Sequence, residues 1–213
     1  MKRQRLAGFP LFVAVCLALV IPASAGTLYN NGSSNFDTGG WALNSSDVIS
    51  DSFSITCQGC QATGFTVGVW EYPGDKVLSV DWSISLTENG APIPGGSGTV
   101  SGNNLINVYV SSNAWGYDAD LVTAAIGSVS LNPNTTYWLN LTNAVVSTPS
   151  DPAYWDENSG HSMASESALG TIPSESFSIQ GGSGGTTPEP SSLALLGSGV
   201  LGVGGLLRRR FFG

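Results

Sequence analysis

Val80-Asp81-Trp82-Ser83-Ile84-Ser85-Leu86-Thr87 alternates between two chemistries. Val80, Trp82, Ile84 and Leu86 fall on one side of an extended chain. Asp81, Ser83, Ser85 and Thr87 fall on the other. A strict period of two is the signature of a strand with one buried face. Shorter runs of the same kind are predicted at 53–56, 65–70, 105–110, 121–131, 137–141 and 177–180. Turn residues punctuate them: Tyr72-Pro73-Gly74-Asp75, Glu88-Asn89-Gly90, Pro94-Gly95-Gly96 and Asn132-Pro133-Asn134. No stretch of the body sustains a helical period. Many short strands with regular turns predict an all-β, jelly-roll-like β-sandwich over residues 26–180.

Two smaller features belong to this body. Asp51-Ser52-Phe53-Ser54-Ile55 is echoed by Glu175-Ser176-Phe177-Ser178-Ile179, which raises the expectation of pairing between strands early and late in the chain. Cys57 and Cys60 bracket a tight turn, and outside the cytoplasm such a pair reads as a disulfide. A redox C-x-x-C would need a following helix to lower a thiolate pKa, and none is predicted. A zinc site would need a second ligand pair, which the lone His161 does not supply.

The ends have a different character. Lys2, Arg3 and Arg5 precede an apolar run at 11–21 and the small residues Ala23-Ser24-Ala25, the pattern of a cleaved signal peptide over 1–25. Val15 before Cys16 does not suit lipoprotein processing. Residues 181–187 are Gly, Ser and Thr only and read as a flexible linker. Then come Pro188-Glu189-Pro190, an apolar span at 191–207, and Arg208-Arg209-Arg210. A helix over 191–207 would be about 25 Å long, close to the thickness of a bilayer core. The arginines predict a cytoplasmic stop, with the acidic body outside.

This three-part ending resembles the PEP-CTERM sorting signal. The resemblance implies processing near Pro188-Glu189-Pro190 by an exosortase, a membrane-embedded transpeptidase of Gram-negative bacteria. It implies a transient membrane anchor and then the cell surface or the extracellular space. The body, at 65–70, 137–141, 154–160 and 172–177, is similar to ectodomains that accompany such tails. That similarity implies a sandwich and brings no activity with it.

Charge narrows the partners. Between the two targeting segments Lys76 is the only Lys or Arg, against fourteen carboxylates (the fifteen of the whole chain less Glu189). Nucleic-acid binding requires a basic footprint and is excluded on this ground. The densest polar stretch is Trp155-Asp156-Glu157-Asn158, with His161 close behind. These residues are the candidate ligand-binding set, read as a loop. Asp156, Glu157, Asn158 and His161 offer calcium-type donors, but the spacing is not that of an EF-hand. The competing reading is a plain inter-strand loop with Trp155 packed as a core lid.

Trp41, Trp115 and Trp155 stand in polar contexts where an exposed ring would stack on a sugar. A hydrolase would need two acids about 5 to 9 Å apart. No G-x-S-x-G is present and His161 has no nucleophile partner. The expectation is a non-enzymatic surface or matrix protein with no cofactor and no bound metal. The alternatives are a carbohydrate-binding module and, behind it, a polysaccharide hydrolase.

Overall fold

The computed structural model describes residues 26–183. The proposed signal peptide, sorting tripeptide, apolar helix and arginine cluster lie outside the described residues. Thirteen strands run in chain order. They begin with β1 (Gly26–Asn30), β2 (Gly40–Ala42), β3 (Ile49–Ser54), β4 (Cys60–Glu71) and β5 (Val77–Ser85). Next come β6 (Pro92–Ser101), β7 (Leu105–Ser112), β8 (Asp118–Ser130) and β9 (Thr136–Val146). The last are β10 (Ala153–Asp156), β11 (Ala164–Glu166), β12 (Gly170–Ile172) and β13 (Phe177–Ser183).

They form two antiparallel sheets. The six-stranded sheet has the order β12-β11-β3-β9-β5-β6. The seven-stranded sheet has the order β1-β13-β4-β10-β2, with β8 on the other side of β4 and β7 outside β8. One side of β4 is shared end to end. β13 pairs with Cys60 to Val67, and β10 with Val69 to Glu71. The sheets close on a single inter-sheet core that includes Ile49, Phe53, Phe65, Val67, Trp82, Ile84, Leu139, Trp155 and Phe177. The expected all-β sandwich is therefore what the chain builds.

The diagnostic stretch holds with one amendment. Val80, Trp82 and Ile84 are buried, as their alternation requires. Leu86 is not. The strand ends at Ser85, whose buried hydroxyl donates to the carbonyl of Thr87 and starts the turn early. Leu86 is thereby left 57 % exposed.

Two further differences concern turn-rich segments. Pro94-Gly95-Gly96 lies inside β6, where the register jumps from Ser83↔Ser97 to Ser85↔Pro92. The strand is at the edge of its sheet, so a proline and a bulge cost no ladder bond inside it. Gly181 to Ser183, linker by composition, continue β13 and pair with Ala62, Gln61 and Cys60.

The two echoed segments do not pair with each other. β3 and β13 belong to opposite sheets and face across the core, with Phe53 and Phe177 edge-on at 6.3 Å. It is the first strand, β1, that pairs with the last, β13. Cys57 and Cys60 are joined as a disulfide with Cα atoms 5.8 Å apart, and Gly59 between them takes the left-handed φ of +67° that the turn demands.

Candidate functional site

The stretch expected to be a ligand loop is mostly strand. β10 lies in the sheet between β4 and β2, so Trp155 sits opposite Val69 on one side and Trp41 on the other. Its ring points into the core with 0 % exposure, and its Nε1–H donates to the carbonyl of Ser176 at 2.9 Å. It meets Phe177 edge-on at 5.9 Å. Trp155 is therefore a core residue and not a stacking platform. Trp41 is half-buried, and its indole N–H is committed to Oε1 of Glu157 at 2.7 Å.

Strand alternation separates the polar members. Asp156 is fully buried and points away from the core. Its Oδ1 accepts from Nε1 of Trp70 at 2.8 Å, and its Oδ2 from the backbone N–H of Asn35 at 3.1 Å. Burial raises its pKa to about 6. Glu157 lies on the face with Trp41. Asn158 braces the chain, donating to the carbonyl of Asn31 at 2.8 Å and accepting from the N–H of Gly160 at 2.9 Å. Asn158 and His161 border a surface cleft of about 350 Å³ with Tyr29 and Asn31. The four expected residues thus do not converge on one ligand. Among the described residues no group of three or more His, Cys, Asp or Glu is disposed to hold a metal ion.

What sequence reasoning missed is a carboxylate seam inside the sandwich. Asp51 on β3 and Glu175 just before β13 are both fully buried. Oδ2 of Asp51 accepts from the backbone N–H of Glu175 at 2.6 Å and from Nδ2 of Asn31 at 3.5 Å. Oδ1 of Asp51 and both carboxyl oxygens of Glu175 have no protein partner. The backbones of Glu175 and Glu157 are paired as an isolated antiparallel β-bridge.

Buried charge without a partner is costly, so such groups hold protons instead. Burial pushes Asp51 up to about 7 despite the hydrogen bonds that favour its ionised form. Glu175 is raised well above the usual carboxylate value, first by burial and then by Asp51, Glu157 and Asp156. Asn31 ties the seam to Ser162, Ser174 and the carbonyl of Glu175, while its Oδ1 accepts from the hydroxyl of Tyr29. Burial, with the charge of Asp51, lifts that phenol to about 12. The sequence carried a signal for this. In both echoed segments the acid is in phase with the core residues Phe53 and Phe177.

A second acid group lies where β4 ends. Lys76 binds Oδ2 of Asp120 at 2.6 Å, the one ion pair among the described residues. Glu71 is fully buried beside them with neither carboxyl oxygen bonded. Burial, and next the charge of Asp120, raises it to about 7.

Exposed aromatic rings stand elsewhere, on the face of the seven-stranded sheet that turns away from the core. Trp115 is 53 % exposed and lies 4.9 Å from Trp70. Tyr72 is 42 % exposed and stacks on Tyr117 at 5.2 Å and 15°. Tyr117 in turn meets Tyr154 edge-on at 5.7 Å.

The described residues thus define an acidic all-β sandwich. Residues 186–210, directly beyond it, match the PEP-CTERM protein-sorting motif. That match supports an exported protein processed by an exosortase, with a transient membrane anchor. No curated protein and no solved structure matches the chain.

Proposed function

We propose that this is a non-enzymatic component of the cell surface or extracellular matrix. The signal peptide at 1–25 exports it. The apolar span at 191–207, stopped by Arg208, Arg209 and Arg210, holds it in the inner membrane. Exosortase then cuts near Pro188-Glu189-Pro190 and hands on the sandwich. The observation that carries this reading is the sorting motif at 186–210, placed within a few residues of the last strand at Ser183. A jelly-roll-like winding is part of it, supported by the chain crossing between sheets at β2–β3, β3–β4, β4–β5, β6–β7, β8–β9, β9–β10, β10–β11 and β12–β13.

The absence of catalysis is supported by where the acids lie. Asp51, Glu175, Asp156 and Glu71 are buried, so these four acids do not present the paired carboxylates of a glycosidase to a substrate. Mass spectrometry of the mature C-terminus tests the route. A new C-terminus near residue 188 is expected. Recovery of material ending in Arg208-Arg209-Arg210-Phe211-Phe212-Gly213 from outside the cell refutes processing. Turnover of any polysaccharide by the purified protein refutes the non-enzymatic role.

A further inference from the structure

We propose that the outward face of the seven-stranded sheet binds a neutral polysaccharide, with Trp115 as the ring on which a sugar stacks. This goes beyond the export reading and does not depend on it.

The ring is held ready. Trp115 occupies the turn between β7 and β8, where Oδ1 of Asn113 accepts from the backbone N–H groups of Trp115 at 3.1 Å and Tyr117 at 3.0 Å. Gly116 supplies the left-handed φ of +84° and donates its N–H to the carbonyl of Asn113 at 3.2 Å. Underneath, Trp70 is fixed by its bond to Asp156. Asp156, expected to touch a ligand, thus acts as a brace one layer below the exposed ring. An exposed, pre-positioned aromatic loses little conformational entropy on binding, and the apolar C–H face of a pyranose matches its π-face.

Beside the rings the same face offers partners for hydroxyl groups. β4, β8 and β13 carry a connected row in which Thr66 bonds Thr123 at 2.9 Å and Gln180 donates to Thr66 at 2.9 Å. Thr66 of this row also lines a cleft of about 290 Å³, with Phe36, Leu121, Val110, Ser34 and Ser176 around it. An apolar cleft with a few polar groups is what fixes the orientation of a small ring.

Charge selects the class of glycan. One lysine against fourteen carboxylates repels a polyanion and leaves uncharged sugar chains as the matching partner. Lys76, moreover, is engaged with Asp120.

The test uses the full chain in affinity electrophoresis through gels containing dextran, galactomannan, a soluble β-glucan or, as the anionic contrast, alginate. Retardation by at least one neutral glycan is expected, weakened about tenfold or more in Trp115→Ala. Leu86→Ala, an exposed apolar side chain in the turn that follows β5 of the other sheet, should bind as the unaltered chain does. Both side chains are half or more exposed, so unchanged thermal melts will show that the variants fold. Three results overturn the proposal: no retardation by any neutral glycan, retardation by alginate alone, or equal retardation of Trp115→Ala. A fourth is self-association abolished by Trp115→Ala without glycan binding, which would make the face a contact between copies of the chain.

Discussion

Asn in place of Asp51 gives the sharpest test of the carboxylate seam. Asp51→Asn keeps an oxygen to accept the N–H of Glu175 and removes the titrating group. In the folded protein Asp51 titrates at about 7, against 3.8 when exposed. Below pH 3.8 both folded and unfolded chains carry the proton, and its stabilising effect is fully present. Between there and pH 7 the folded state retains a proton that the unfolded chain releases. Stability therefore falls as pH rises, by about 1.4 kcal/mol per unit and about 4 kcal/mol in all, and levels off above 7.

The variant lacks this slope. Urea unfolding of both proteins at pH 4 and pH 8 should show the Asn variant gaining on the parent by about 4 kcal/mol across the interval. That is a relative midpoint shift of about 2 M for a domain of this size. Comparing the two profiles cancels Glu71 and Asp156, which titrate in both. A gap between variant and parent that is the same at both pH values, or one that widens in the parent's favour at pH 8, would refute the buried, protonated state of Asp51.

Two further outcomes follow from the packing. Free-thiol labelling of the native protein should find neither Cys57 nor Cys60 reactive, and Cys57→Ser should cost about 2 kcal/mol, because the closed loop is so short. Trp155→Ala should lower stability by at least about 3 to 5 kcal/mol, since it empties a core position and strands the carbonyl of Ser176. A melt within a degree or two of the parent would return Trp155 to the surface.

The strands with clean alternation were legible because their pattern depends on one face alone. Val80, Trp82 and Ile84 needed no knowledge of their partners. Leu86 was misplaced because the end of a strand is decided by a side-chain bond, Ser85 to Thr87, that hydropathy does not register. β6 hid behind Pro94 and Gly95, residues that forbid a central strand and are tolerated at an edge. Trp155 was legible as a core lid and illegible as a strand residue, since β10 is only four residues long and takes its place from β2 and β4. The buried acids were the least accessible. Acidic side chains belong on surfaces by every local criterion, and Asp51 and Glu175 meet only because two segments far apart in sequence face each other across the core.

The pairing of Gly26 with Gly181 has a consequence for how the molecule is tethered. Gly26 directly follows the proposed signal-peptide cleavage site. The four residues 184–187 between Ser183 and the sorting tripeptide reach at most about 14 Å when fully extended. The N-terminus that signal-peptide cleavage would leave and the C-terminal tether of the proposed anchor would therefore depart from one corner of the sandwich, where Gly26 pairs with Gly181. From that corner β4 runs twelve residues, eleven steps or about 36 Å, to Glu71, and Tyr72 and the aromatic rings lie at its far end. While the anchor is still attached, those rings would point away from the bilayer. Because β13 lies between β1 and β4, the seven-stranded sheet cannot close until this last strand is in place.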